Sequence, residues 1–350
     1  MFTPGCREPD ATALDAVCTT LADLATATDA DGPWRSGAFA ILARSGALAG
    51  FIPEDCGGTA APEPARLTLL AAIAARCLTT ALVLTQWAAA CRIIAGGTAG
   101  VRSARLPALA RGDTPTTVGI SQLTTSRRHL AAPALTATPV ADGWRVSGQC
   151  PWVTGADSSD TIVTGAVGPG GDPLFFVVPT AAPGIDIAAP MKLLALSGSR
   201  PSSVTLRDVA PADVILPAAA AARTGGLATT ALAVGATRAA VALLDDEARG
   251  RPALQPVAHG LRAEATRLWG DVLETAAAGP TAAAEGLRAR ANGLVVRAAQ
   301  AALTASKGAG FVAGHPAERL VREASFFLVW SCPHAVSAAV LCELAGLDGP

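Results

Sequence analysis

The stretch "SGQCPWVTGADSSD", residues 147–160, holds the most chemically suggestive side chains of this sequence. Aromatic residues make up 4% of the chain and tyrosine is absent, yet Trp152 directly follows a proline and Thr154 stands two residues beyond. A flat indole can stack on or edge a flat heterocycle. A short β-branched hydroxyl is a rigid donor that can tune the electronics of such a ring. The alternative is that Trp152 is ordinary β-domain core and Thr154 an ordinary strand residue. A second cluster, "SCPHA" at 331–335, sets Cys332 and His334 on either side of a proline. Two possible ligands need further partners to hold a metal, and Pro333 breaks regular geometry between them. The string "GAGFVAG" (308–314) has the wrong glycine spacing for a dinucleotide fingerprint, and no strand precedes it.

The elements that must position these residues belong to a chain of 350 residues, enough for one to three domains with a large core. Half of it is hydrophobic, mostly through alanine, and 16% is charged, which predicts much helix. A formal net charge of -1 gives no electrostatic case for nucleic acid or an acidic membrane surface. Eight cysteines form no C-x-x-C, so neither a zinc site nor a thioredoxin-like pair is indicated. "MFTPGCREPD" lacks a basic region followed by an apolar stretch, so a cytoplasmic location with reduced thiols is expected. The most apolar segment, Leu67 to Ala95, is interrupted by Arg76, Gln86 and Arg92. Two buried helices are expected there rather than a membrane span.

Three compositional zones follow. Residues 10–112 show helical spacing in "ALDAVCTTLADLA" and "RLTLLAAIAARC", broken by the loop "FIPEDCGG". From about 115, short Val/Ile/Thr/Phe runs such as "TTVGISQLT", "WRVSGQ", "TIVTGAVG" and "LFFVVPT" alternate with turn signals. They predict a compact antiparallel β-domain. Helical stretches over 223–250, 256–278, 281–307 and 317–346 then predict an antiparallel four-helix bundle. The fold class is α+β: an N-terminal all-α domain (1–114), a central antiparallel β-domain (115–218) and a C-terminal four-helix bundle (219–350).

That order and four local motifs resemble the acyl-CoA dehydrogenase superfamily of flavoproteins. "FIPEDCGG" is similar to the family's "(V/I)PEE(Y/F)GG" loop, and "GWRVSGQCPWVTGADSSD" to its "G-x-K-x-(W/F)-I-T" hairpin. "VTLRDVAPADVIL" is similar to the segment that closes the family's β-domain, and "KGAGFVAGHPAERLVREA" to "GGxGYTxExPVERLxRDA". The resemblance implies FAD as cofactor, with Trp152 packed on the isoalloxazine ring and Thr154 bonded to it. Ser121, in "VGISQLTT", would keep a hydroxyl at the flavin's pyrimidine edge, where Gln122 replaces the family's Glu. Gly308 and Gly310 remain from the "Q-x-x-G-G" element, with Thr304 at the Gln and Lys307 at the first Gly. The resemblance also implies an acyl thioester substrate, on CoA or a carrier protein, and a homo- or hetero-oligomer.

The family pattern fails in three places. Its general base, a glutamate, falls at Ser331, with Trp330 at the preceding Tyr; the position on an early bundle helix that carries the base in some members falls at Gly225. Neither is a carboxylate, and no catalytic residue is assigned. Cys332 and His334 are the nearest titratable groups. The loop over the thioester becomes "TSRRHL", where Ser126 matches only loosely; Arg127 and Arg128 could meet a phosphate of CoA or pantetheine or form a solvated loop. "EARGRPALQP" lacks the family's "R-x-x-F-G", whose Arg reaches the FAD diphosphate, and Lys307 is the candidate replacement. The readings that follow are a flavin oxidoreductase acting on the Cα–Cβ bond of a thioester, a flavin-dependent oxygenation variant, or a non-catalytic partner subunit.

Overall fold

The computed structural model describes residues 11–30, 35–124, 133–171, 173–215, 226–279, 283–330 and 334–347. Its helices flank a central sheet in sequence, in the expected α+β order. The N-terminal helices are α1 (Ala11–Ala30), α2 (Ala40–Arg44), α3 (Glu63–Ala74), α4 (Leu78–Ala95) and α5 (Ala99–Arg111). The strands are β1 (Thr116–Gly119), β2 (Leu135–Val140), β3 (Gly143–Thr154), β4 (Thr161–Val167), β5 (Pro173–Pro179), β6 (Ile185–Ile187), β7 (Pro201–Val209) and β8 (Asp213–Ile215). A short helical turn, α6 (Ser121–Thr124), follows β1. The C-terminal helices are α7 (Leu227–Gly250), α8 (Gln255–Ala278), α9 (Ala283–Ser306), α10 (Pro316–Phe326) and α11 (His334–Ala345).

The sheet runs β6-β7-β3-β2-β4-β5-β8, with β1 added to β4. Five of its seven ladders are antiparallel, as expected; β1 and β2 each pair with β4 in parallel. Strand alternation sorts the side chains onto two faces. On β5, Phe176 and Val178 join a core within the sheet, while Phe175 and Val177 face the helices. The N- and C-terminal helices share that second core: Leu70, Ala71 and Ala74 of α3 pack with Ala231, Val234 and Leu294. Small side chains make the approach possible. A Cβ on Gly235 of α7 would sit 2.4 Å from the Ala71 carbonyl of α3. The alanine excess therefore serves close helix packing as well as helix propensity.

Two helices, α4 and α7, are long and apolar enough to cross a membrane, but 67% and 72% of their apolar windows are buried inside the protein. Both are core helices. The expected fourth bundle helix is instead two helices. α10 ends in turns over Phe327–Trp330, and α11 begins at His334. A proline at 333 cannot donate to a helical ladder, and side chains of α9 capture the carbonyls at the break. Asn292 donates to the Phe327 carbonyl at 2.8 Å and Arg288 to that of Trp330 at 3.1 Å.

Candidate functional site: the β1–α6–β3 wall

β3 carries a register shift against β7 between Cys150 and Val153. Both residues point into the sheet's own core, so Pro151 and Trp152 occupy a space where regular alternation allows one residue. This is a bulge, and it suits a proline that cannot donate to a ladder. Past the bulge, Trp152 and Thr154 flank Val153 and take the opposite face, the one β1, β4 and β5 turn toward the helices. Trp152 is half-buried there.

Among the described residues β1 ladders only with β4, and side-chain hydroxyls stitch it and α6 to β3. Thr117 donates to the Thr154 carbonyl at 2.7 Å, and Ser121 to the Trp152 carbonyl at 3.4 Å. The structure thus brings Ser121, Trp152 and Thr154 together. Thr154 is 4% exposed, and among the described residues its hydroxyl has no hydrogen-bond partner. Its Oγ1 is not among the fully buried unpartnered side-chain atoms, so an incoming acceptor can reach it. An uncommitted donor beside a half-buried indole fits a flat ring that carries hydrogen-bond acceptors. The run "TTVGISQLT" is not one strand, because β1 stops at Gly119 and Ser121 begins α6.

Gly308 and Gly310 lie elsewhere, in the 3-10 turn Lys307–Phe311 after α9. Gly310 is buried, and a Cβ there would stand 2.7 Å from that of Ser306, so its glycine serves close packing. Gly308 and Lys307 are exposed. Lys307 has φ +55°, a left-handed conformation that costs an ordinary residue roughly 1 kcal/mol. Arg251, from the turn between α7 and α8, donates to the Ala305 carbonyl and pairs with Glu247, which brings a second cation to the end of α9. Thr304 donates to Gln300 within its own helix at 2.9 Å. Trp330 stacks on Phe326, with ring centroids 4.9 Å apart. Ser126, Arg127, Arg128, Gly225, Ser331, Cys332 and the His334 side chain lie outside the described residues.

Among the described residues the buried carboxylates are Asp29 and Glu323, and both sit at a junction of α1, α10 and the 193–200 loop. Arg322 donates to Asp29 at 3.0 Å and to the Leu194 carbonyl at 3.1 Å, and it also pairs with Glu318. Asp29 accepts the Leu196 amide at 2.9 Å. A Cβ on Gly198 would overlap the Thr28 carbonyl at 1.5 Å, so only glycine lets the loop meet α1. Arg322's hydrogen bond to Glu318 holds that carboxyl below its usual range and raises the guanidinium. Burial pushes Glu323 up to about 7, against the pull of Arg319, whose Nε lies 3.8 Å away. The sequence signal for this cluster was "ERLVREA", a ladder of i,i+4 pairs (Glu318–Arg322, Arg319–Glu323) read only as a family motif.

Comparison with known proteins agrees with this architecture. Residues 6–113 match the family model of the acyl-CoA dehydrogenase N-terminal domain. No curated protein sequence matches the chain. Among solved structures, the chain is similar to a glutaryl-coenzyme A dehydrogenase in complex with glutaryl-CoA. The identity is 18% and the TM-score 0.84, with 99% of this chain and 98% of that one covered. It is also similar to butyryl-CoA dehydrogenase from Megasphaera elsdenii, at 16% identity and TM-score 0.79, covering 99% and 100% of the two chains. KijD3, in complex with FMN and a dTDP-linked amino sugar, matches at 20% identity and TM-score 0.77, covering 99% and 96%. The chain therefore carries an acyl-CoA dehydrogenase N-terminal domain, and its whole length has the acyl-CoA dehydrogenase fold.

Proposed function

We propose that the chain binds a flavin, specifically FAD, against Ser121, Trp152 and Thr154, and acts as an oxidoreductase on the Cα–Cβ bond of an acyl thioester. The observation that carries this reading is the partnerless Thr154 hydroxyl beside the half-buried Trp152 on the helix-facing side of the sheet. A bound flavin supplies a hydride acceptor. The protein's part is to orient and seal the site: the indole covers ring surface and excludes water, and the Thr154 hydroxyl donates to the ring. Lys307 meets the diphosphate of FAD, with Gly308 and Gly310 beside it, on a neighbouring copy of a homo- or hetero-oligomer. A lysine in a left-handed position that glycine would fill without strain is the motive for giving its charge a role.

The missing carboxylates at Ser331 and Gly225 bear on the reaction. A general base contributes ~10²–10⁴-fold, so α-proton abstraction without one is slow. Flavin-dependent oxygenation needs no such base. KijD3, with a dTDP-linked sugar bound, indicates that the fold by itself does not fix the substrate as a thioester. The same missing carboxylates favour a second reading, a non-catalytic or FAD-poor partner subunit of a cytoplasmic hetero-oligomer. Purified protein, its bound cofactor identified by mass spectrometry, tests the first reading. Yellow protein that oxidises acyl-CoA with an artificial acceptor supports dehydrogenation; oxygen uptake with NADH and a flavin reductase supports oxygenation. Colourless protein that gains flavin only when mixed with a related chain supports the partner role.

A further inference from the structure

The carbonyl of Gly119, the last residue of β1, is captured by two side chains of the sheet's inner face. Thr164 Oγ1 donates to it at 2.6 Å and Cys150 Sγ at 3.3 Å, and the two donors are 3.2 Å apart. Both side chains are 1% exposed. A Cβ on Gly119 would crowd Val153, Ile162 and Cys150 at 3.0–3.3 Å, so β1 ends in close contact with β3 and β4. With that carbonyl fixed by side chains from inside the sheet, the chain turns after β1.

Three further contacts hold the turn that results. Leu123 donates its amide to the Ile120 carbonyl at 2.9 Å and lies over Gly165, where a Cβ would come 2.3 Å from its Cδ1. Ser121 Oγ reaches the Trp152 carbonyl at 3.4 Å. The turn that carries Ser121 is therefore fixed from below by Gly119, from the side by Trp152 and from beneath Leu123 by β4. Of the side-chain bonds, those from Thr164 and Cys150 are the buried ones, and that from Thr164 is the shortest.

We propose that Thr164 and Cys150 are positioning residues that, through the Gly119 carbonyl, set the distance between the Ser121 turn and the Trp152–Thr154 face and so shape the flavin's edge contact. The inference rests on the flavin reading above. A methyl in place of the Thr164 hydroxyl removes the shorter of these two side-chain donors and lets the turn relax. Serine at either position can still donate.

The test uses the full chain with Thr164→Val, Thr164→Ser, Cys150→Ala and Cys150→Ser. Each is titrated with FAD and FMN by visible absorbance, its reduction potential is measured by dye equilibration, and its thermal midpoint is recorded. Thr164→Val is expected to weaken flavin affinity about tenfold and to shift the flavin bands and the potential. Thr164→Ser restores both, and Cys150→Ala moves them less in the same direction. Wild-type affinity, bands and potential in Thr164→Val and Cys150→Ala, with only the thermal midpoint lowered, overturns the proposal and leaves the flavin reading standing. Should Thr164→Val not fold, Cys150→Ala against Cys150→Ser gives the same decision. Wild-type protein that takes up neither FAD nor FMN, alone or with a related chain, overturns both.

Discussion

At the junction of α1 and α10, Arg322 is engaged by Asp29, Glu318 and the Leu194 carbonyl. On the helix-facing side of β3, the Thr154 hydroxyl is engaged by nothing among the described residues. Both places are buried and polar, and both join segments distant in sequence. The junction is complete without a ligand, so its groups hold three elements together and its loss is a loss of stability. The Thr154 hydroxyl has no partner among the described residues, so on the proposed flavin reading its loss should be a loss of binding. Stability and function are therefore written in different residues of the same fold, and substitutions at the two places should separate them.

The largest effect is expected from Arg322→Ala. Removing the cation leaves Asp29, 7% exposed, without its ionic partner. Breaking a buried pair in this way costs roughly 3 kcal/mol or more. Urea denaturation should show that loss; a change below about 1 kcal/mol would mean that the junction is solvated and the contrast with β3 is false.

Glu323 sharpens the same contrast through pH. Its folded-state acid is pushed up to about 7 by burial, against roughly 4.3 in an unfolded chain. The folded form holds the proton more tightly, so the stability from this group is full at low pH and is lost as pH rises through about 7. Arg319, Arg322, Glu318 and Asp29 all face it. Glu323→Gln should flatten the stability profile between roughly pH 4 and 7. It should raise stability at the alkaline end by on the order of 2 kcal/mol. A parallel profile in the variant would assign the slope to other groups.

Thr154→Val is the reverse experiment. It should lower flavin affinity about tenfold with a change in unfolding free energy under roughly 1 kcal/mol. An unchanged flavin titration with a large stability loss would make Thr154 a structural residue. Lys307→Gly carries the smallest effect: relief of the left-handed lysine should stabilise by about 1 kcal/mol. FAD should weaken while FMN, which lacks the diphosphate, should not. Equal effects on the two cofactors would remove Lys307 from the site.

The contrast also explains what could be read from sequence. Most strands were legible because they are short β-branched or aromatic runs set off by turn residues, and α3 and α4 because polar residues divide an apolar segment. The end of β1 was not legible. "TTVGISQLT" is uniformly strand-like, and the last strand carbonyl is met by donors 31 and 45 residues away that local sequence does not reveal. The junction was hidden for the same reason, since Asp29 and Arg322 are 293 residues apart. The break between α10 and α11 had a visible cause in Pro333, which the helical run of 317–346 outweighed. Proline next to tryptophan is anomalous in an alanine-rich chain, and the bulge is the structural counterpart of that anomaly.

The central claim is that the Ser121–Trp152–Thr154 face is completed by a flavin. Titrating the purified protein with FAD while following the flavin absorbance, in parallel with Thr154→Val and Arg322→Ala, tests it most directly. Saturable binding by the wild type, weakened by Thr154→Val and preserved in folded Arg322→Ala, is the predicted result. No binding by the wild type, or binding indifferent to Thr154, would contradict it.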